Sequence, residues 1–304
     1  MSFSSEVKEE LAMQTGKSRH CRLAELAALI CYAGKLRVEE GNITLSMETE
    51  NVLVKEKYQH ILGLLFGIEA EEKLSGEVLL SVLESMKIWD KSKGSFSDMT
   101  CVDGMLIQQS CCKRAFIRGA FLASGSMSNP NKAYHFEIVC DTIAKAKQLQ
   151  SVMSSFEVEA KIITRKKHEV VYVKEGSYIV DLLNVMEAHV ALMNLENVRI
   201  MKEMRNSVNR QVNCETANIS KTVNAAVRQV EDIAYIREKA GLESLPDNLR
   251  EIAILRLEYP DAALKELGQF LSPPVGKSGV NHRLRKISMI AKEMGLKRME
   301  EKNT

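Results

Sequence analysis

Nothing in this sequence is spaced like a disulfide framework or a metal knuckle. Its seven cysteines, at positions 21, 31, 101, 111, 112, 140 and 214, are odd in number and include no CxxC pair. Cys111 and Cys112 are adjacent, which suits neither a disulfide framework nor a zinc knuckle. The expected state is small buried thiols in a reducing cytosol. The six histidines, at 20, 60, 135, 168, 189 and 282, form no HxxxH or HExxH pattern. No metal ligand set is readable, and neither a metal nor another cofactor is expected. No apolar run approaches the roughly 18–20 residues that span a bilayer. The opening MSFSSEVKEELA has acids where a signal peptide would carry an apolar stretch, so it is expected to be a capped amphipathic helix. A membrane partner is thereby excluded, and a cytoplasmic location is expected.

What is present describes a soluble globular chain. Its 304 residues suffice for about two domains with cores of their own, without disulfides. Hydrophobic residues make up 45% and charged residues 27%, with a net charge of +2. That near balance conceals a concentration. From 276 to 298 there are seven Lys/Arg (277, 283, 285, 286, 292, 297, 298) against Glu293 alone, a net +6, which leaves −4 for the rest.

The surrounding pattern from Pro260 to Met294 predicts two helices and a turn. Tyr259-Pro260 should stop a preceding helix. Asp261 is placed to cap a helix with apolar positions Leu264, Leu267, Phe270 and Leu271. Ser272-Pro273-Pro274-Val275-Gly276 ends it. Ser278 is placed to cap a second helix with the apolar stripe Val280, Leu284, Ile287 and Ile290. With Val280 at zero and about 100° per residue, Leu284 falls near 40° and Ile287 near −20°. Asn281, His282, Arg285 and Lys286 fall between about 100° and 240°, on the opposite face. This is the pattern of a helix-turn-helix reader of double-stranded DNA. An ordinary helical hairpin with a solvated basic face is the alternative, and the charge concentration favours DNA. The expected contacts are Lys277, Ser278, Asn281, His282, Arg283, Arg285, Lys286 and Lys292. Asn281 suits adenine and Arg285 guanine, while Lys277, Lys286 and Lys292 suit phosphate.

The N-terminal part reads as a duplication. Leu26–Gly34 (LAALICYAG) and Ile117–Gly125 (IRGAFLASG) are each small-residue helices ending at a glycine, which is expected in the left-handed conformation. Small residues at successive turns (Ala24, Ala27, Ala28; Ala115, Gly119, Ala123) would let two helices approach closely. A hairpin around Gly41-Asn42 follows the first copy, and a turn at Asn129-Pro130-Asn131 leading into a strand follows the second. Helices are expected over about 52–66 and 142–156. A strand pair then follows, clear at 159–165 and 170–174 and vague in the first copy (70–105). The two glycines lie 91 residues apart, as in a tandem αββαββ duplication.

From Leu182 onwards the chain is expected to be helical and polar. Six Lys/Arg, two acids and six asparagines lie between Asn197 and Val230. Either this is a polar connector, or it is a second DNA-facing region with contacts from Arg205, Asn209, Arg210, Lys221 and Arg228. Asn248–Glu258 is the first clear helix after it.

The two glycine-terminated helices resemble the signature helices of the LAGLIDADG homing endonucleases, in which each such helix points an acid into an active site. At the matching positions stand Ala33 and Ser124, with Cys31 and Leu122 at the other acidic position. Cleavage with two metals needs carboxylates there, so no catalytic residue is assigned. Together with the C-terminal helix-turn-helix, the chain resembles the WhiA family over essentially its whole length. The most specific stretches are 111–126, 197–230, 249–268 and 272–287.

The resemblance implies a bacterial, nucleoid-associated DNA-binding protein. Its implied roles are transcription regulation, sporulation in some lineages, cell division and chromosome segregation. The helix-turn-helix resembles the promoter-reading region of sigma factors, so RNA polymerase, a sigma factor or another regulator is a candidate partner beside DNA. The expected fold class is α+β. A tandem αββαββ LAGLIDADG-like domain (1–190) precedes a polar helical linker (191–220) and an all-α helix-turn-helix domain (221–304). The alternatives to a DNA reader are residual nuclease activity and a protein-interaction role for the N-terminal domain. Arg165, Lys166 and Lys167 are the residues there that would follow a DNA backbone.

Overall fold

The computed structural model describes residues 2–39, 42–68, 73–96 and 100–302, and it falls into two compact units, Met1–Glu203 and Met204–Thr304. The first unit opens with α1 (Phe3–Met13), which buries Phe3, Val7 and Leu11 and is capped by Ser2, whose hydroxyl accepts from the Ser5 amide at 3.2 Å. Next come α2 (Arg19–Ala33), β1 (Gly34–Glu39), β2 (Asn42–Met47), α3 (Val52–Phe66), β3 (Lys73–Ser75) and α4 (Gly76–Ser85). A short ribbon, β4 (Trp89–Asp90) and β5 (Ser95–Phe96), precedes the second copy. That copy comprises α5 (Ser110–Ser124), β6 (Gly125–Met127), β7 (Phe136–Cys140), α6 (Ile143–Ser154), β8 (Lys161–Arg165), β9 (His168–Val173) and α7 (Gly176–Met186).

Helices α2 and α5 are the axis of this unit. Each is buried nearly all round, as expected of a helix packed on several sides rather than along one stripe. They cross where Gly119 faces α2. A Cβ at Gly119 would lie 2.6 Å from the Glu25 carbonyl oxygen and 2.8 Å from Ala28 Cβ, so only glycine permits this approach.

The two terminal glycines correct the expectation of left-handed caps. Gly34 has φ −82° and ψ 141°, and Gly125 has φ −85° and ψ 157°, both extended. Each helix runs directly into a strand, and a Cβ there would strike the preceding turn: 2.5 Å from the Ile30 carbonyl oxygen at Gly34, 2.7 Å from that of Phe121 at Gly125. Glycine is required by space, not by handedness.

All strand pairs are antiparallel, in orders β1-β2-β3 and β6-β7-β9-β8, with β4-β5 apart. Asn42 lies in β2, paired with Glu39, rather than in the turn where it was expected; Gly41 lies outside the described residues. The second copy shows its expected strand pair. In the first, β3 pairs with β2 as β9 pairs with β7, and α4 follows β3 as α7 follows β9, so among the described residues β8 has no counterpart. Residues 70–72 and 97–99, within the stretch whose strands were vague, lie outside the described residues.

Helix α8 (His189–Lys239) is continuous for 51 residues, and the polar stretch 191–220 lies wholly within it. Its first turn is capped from a distance: the Glu10 carboxylate accepts from the Val190 and Ala191 amides at 2.8 and 2.9 Å. No described helix is long and apolar enough to cross a membrane.

The second unit packs the end of α8 with α9 (Asp247–Glu258), α10 (Leu264–Phe270) and α11 (Lys277–Lys302). Its core includes Ile233, Ile236, Leu249, Ile252, Leu267, Leu271, Val280, Leu284 and Ile287. The apolar stripe read from the sequence is therefore seated, with Ile290 only partly buried and Ala291 fully so. Phe270 departs from expectation: it is 52% exposed and packs against Tyr259, ring centres 5.0 Å apart. The short helix has only two turns, and Leu267 and Leu271 already occupy its buried side.

Candidate nucleic-acid interface

The helix-turn-helix geometry rests on three local devices. Arg256 continues the apolar register of α9 (Leu249, Ile252, Ala253), and it is buried. Its guanidinium donates to the carbonyl oxygens of Pro260 and Ala262 at 3.1 and 2.8 Å, pinning the chain between α9 and α10. Burial lowers its pKa below the ordinary arginine value, with Asp261 acting in the opposite direction. Sequence reading passed over this residue, although an arginine at i+7 on an apolar face was the available signal.

The start of α10 corrects the expected cap. Ala263, not Asp261, is the N-cap; alanine has no side-chain acceptor, so Glu266 alone closes the turn by accepting from the Ala263 amide at 2.8 Å. Finally, Gly268 sits against the inter-helix turn. The Val275 amide donates to the Gly268 carbonyl oxygen at 2.9 Å, and a Cβ on Gly268 would lie 3.1 Å from Val280 Cγ2 and collide with the Val275 carbonyl.

Helix α11 starts at Lys277, so Ser278 is inside the first turn rather than its cap; Gly276 precedes the helix and accepts from the Val280 amide at 3.1 Å. With Val280, Leu284 and Ile287 inward, Lys277, Ser278, His282, Arg285, Lys286 and Lys292 are exposed. Asn281 and Arg283 are half-buried. Arg283 is drawn toward its own unit, donating to the Asn248 carbonyl oxygen at 3.4 Å. Asn281 lines a cleft with Lys221, Arg256, Lys265 and Lys277. The helix thus offers a solvated cationic face backed by a fixed core, which is the arrangement a groove-reading helix needs.

On α8 the five candidate residues Arg205, Asn209, Arg210, Lys221 and Arg228 are all exposed. They do not form one surface. With Met201 at zero, Arg210, Lys221 and Arg228 fall at about 180–200°, whereas Arg205 and Asn209 fall at about 40° and 80°. The latter two border an exposed apolar stripe of Met204, Val208, Val212, Ile219 and Val223.

The positions matching nuclease acids lie at the ends of α2 and α5. Leu122 and Ala33 are buried. Ser124 Oγ donates to the carbonyl oxygens of Val139 and Ala120 at 2.8 and 3.4 Å. Burial pushes the Cys31 thiol up to about 11, with Lys145 pulling the other way. Lys145 Nζ donates to the Cys31 carbonyl oxygen at 2.6 Å and pairs with Asp141 at 3.0 Å. A cation thus stands beside a position where metal-dependent cleavage would want a carboxylate. On the second sheet, Arg165 pairs with Glu137 at 3.2 Å, and Lys166 and Lys167 form the exposed β8–β9 turn.

Two groupings escaped the sequence reading. Glu25 is a fully buried acid held by Lys57 and Arg118. His20, Cys21, Cys111 and Cys112 converge at the starts of α2 and α5, the one group among the described residues with metal-ligand spacing. The thiols are also less uniformly buried than expected, with Cys111 and Cys214 exposed.

Comparison with known proteins accounts for both units. The WhiA N-terminal LAGLIDADG-like domain matches residues 19–77, the WhiA LAGLIDADG-like domain 113–205 and the WhiA C-terminal HTH domain 208–291. A protein of Lachnoclostridium phytofermentans called probable cell division protein WhiA is 51% identical over 308 residues, spanning 96% of this chain and 98% of its own. One of the same description from Alkaliphilus oremlandii is 49% identical over 313 residues, spanning 97% and 98%. The crystal structure of full-length DUF199/WhiA from Thermatoga maritima superposes with a TM-score of 0.57 at 27% identity, covering 96% of this chain and 99% of that one.

Proposed function

The chain belongs to the WhiA family, and from that premise we propose that it is a non-enzymatic bacterial protein that binds double-stranded DNA through α11. The exposed cationic face of this helix, opposite the buried Val280, Leu284 and Ile287, carries the proposal. Arg285 reads a base edge, guanine by its fork geometry, worth about 1–3 kcal/mol of discrimination. Lys277, Lys286 and Lys292 hold phosphates and set affinity and salt dependence. Ser278, Asn281, His282 and Arg283 complete the contact set, Arg283 by leaving its weak bond to Asn248. Arg210, Lys221 and Arg228 form a secondary phosphate-facing row, and Arg205 and Asn209 are separate from it.

The relatives, which are called probable cell division proteins, support a role in that process. We assign this chain to cell division at the nucleoid, acting on chromosome segregation or on transcription beside RNA polymerase, a sigma factor or another regulator. Binding of Arg285→Ala measured across a panel of DNA sites tests the reading: discrimination relaxes at one base position. Uniform weakening at every site would remove the base-reading role.

Absence of cleavage rests on the same premise and on the side chains at the matched positions, Cys31, Ala33, Leu122 and Ser124. Protein incubated with supercoiled plasmid and Mg²⁺ or Mn²⁺ leaves it intact; chelator-sensitive nicking would restore the nuclease reading.

A second reading gives the N-terminal unit a protein partner. The pairing of Arg165 with Glu137 favours it, since one of the sheet's three turn-side cations is already neutralised. On this reading Lys166→Ala with Lys167→Ala leaves DNA affinity and its salt slope unchanged.

A further inference from the structure

The two helices at the centre of the first unit begin with adjacent pairs of metal-ligating residues, His20-Cys21 on α2 and Cys111-Cys112 on α5. His20 corresponds to Cys111 and Cys21 to Cys112 at the same 91-residue offset that separates Gly34 from Gly125. The four side chains therefore occupy equivalent places in the two copies and meet between them. All four ligand atoms lie within 4.8 Å of one another. From His20 Nδ1 the sulfurs of Cys112, Cys21 and Cys111 stand at 3.1, 3.4 and 3.9 Å. A tetrahedron with Zn–S near 2.3 Å and Zn–N near 2.0 Å has N···S edges of about 3.5 Å, in the middle of that range.

We propose that His20, Cys21, Cys111 and Cys112 form a Cys₃His site for a thiophilic divalent cation of the Zn²⁺ type, which ties the two copies together at the starts of α2 and α5. Three soft thiolates and an imidazole in tetrahedral array select Zn²⁺ over the hard, oxygen-seeking cations. Three thiolates give a Zn²⁺ centre a formal charge of −1, and the surroundings suit it. The ligands sit in the first turns of both helices, where the amide dipoles favour negative charge. Neither N-cap, Ser18 or Gln109, satisfies those amides with its side chain. Lys17 and Arg114 line the adjoining cavity, where Arg118 and Glu187 neutralise each other. Cys21 and Cys112 are buried while His20 and Cys111 are exposed, so two ligands are fixed by the core and two face the route of entry.

The site is remote from the positions matched to nuclease acids. Twelve residues separate Cys21 from Ala33 along α2, about 18 Å at the helical rise. Its role is structural, holding two copies of one motif in register, with four closed ligands and no position left for substrate.

Full-length protein, reduced and stripped by chelator, titrated with Co²⁺ tests the proposal. One equivalent per chain binds, with thiolate charge-transfer absorption and the visible bands of a tetrahedral site, and Zn²⁺ bleaches them. Cys111→Ser and His20→Ala, both at exposed ligands, lose the tetrahedral spectrum while keeping their far-UV circular dichroism. Cys214→Ser, an exposed thiol elsewhere, keeps it. Zn²⁺ raises the melting temperature of the unaltered chain and not of the two ligand variants. Substoichiometric uptake would overturn the site, and so would a spectrum unchanged in the Cys111→Ser, His20→Ala double variant. Peptide mapping that finds a disulfide among Cys21, Cys111 and Cys112 in the protein as purified, before reduction, would also overturn it, leaving a redox pair.

Discussion

Glu25 of α2 and Arg118 of α5 meet as a two-point ion pair, Arg118 Nε on Oε1 at 3.1 Å and Nη2 on Oε2 at 3.0 Å, with both side chains buried. Lys57 joins the same carboxylate at 2.9 Å and donates as well to the carbonyl oxygens of Leu11 and Gln14. The other arm of Arg118 reaches Glu187 at 2.8 Å. Glu25 is therefore the acid that Lys57 and Arg118 share at the crossing of the central helices, with Glu187 pairing Arg118 alone. Removing it takes the acid partner from buried Lys57 and leaves Arg118 with Glu187 alone, a loss of about 3–5 kcal/mol. Glu25→Gln, which keeps the volume, is expected to lower the denaturation midpoint nearly as far as Glu25→Ala. Stability retained in Glu25→Gln would mean that shape, not charge, matters there.

Gly119→Ala adds a single methyl group at the same crossing, where the Glu25 carbonyl oxygen and Ala28 Cβ leave no room. Neither the helical backbone nor the alanine can turn aside, so α2 and α5 must separate. The expected cost is about 1–3 kcal/mol, the range for overpacked cores, read as a shift in denaturant midpoint. Gly104→Ala, where a Cβ meets open space, serves as the control. Equal midpoints for the two variants would remove the close-approach argument.

How much of this was legible in the sequence follows from which features are local. Periodicity placed Val280, Leu284 and Ile287 inward, and the repeat placed Gly34 and Gly125 at helix ends, because both are properties of short segments. The reason for those glycines was misread: composition reveals a glycine but not whether handedness or space demands it. The cap at Asp261 failed because that turn is set elsewhere, by buried Arg256 and by Glu266. The cap at Ser278 failed because α11 already starts at Lys277, with Gly276 accepting from the Val280 amide. The grouping of His20 with Cys112 and the pairing of Glu25 with Arg118 depend on which residues two distant helices bring face to face. A scan for CxxC or HExxH looks for ligands close in sequence, whereas here they are adjacent pairs one repeat apart. Aligning the two copies would have shown it.

Acid sensitivity of the second sheet should trace to Glu137. Burial disfavours its charge, but His135 at 2.9 Å and Arg165 at 3.2 Å outweigh that and hold its pKa below the ordinary carboxylate value. A carboxyl whose folded pKa is depressed contributes stability that is fully present above its unfolded value, about 4.3. That contribution disappears as pH falls through the folded value. Glu137→Gln is therefore expected to be less stable at pH 6, with the difference shrinking below about pH 4. A difference that stays constant over this range would show that the charge is not the stabilising element.

Leu284 and Arg285 are neighbours on α11 with opposite duties, and their variants should separate folding from binding. Leu284 is buried against the core of the second unit, so Leu284→Ala opens a cavity costing about 2–5 kcal/mol. Any loss of DNA affinity in that variant follows unfolding of the unit and recovers at lower temperature or with stabilising osmolyte. Arg285 is exposed and makes no hydrogen bond or ion pair among the described residues, so Arg285→Ala should change stability by less than about 0.5 kcal/mol. Its affinity loss persists under conditions that rescue Leu284→Ala. Lys286→Ala provides the third case: if it holds a phosphate, it weakens binding equally at all sites and lowers the slope of log affinity against log salt by about 1. A melting temperature that falls as far in Arg285→Ala as in Leu284→Ala would place the arginine in the fold, and the reading face of α11 would then have to be sought elsewhere on the helix.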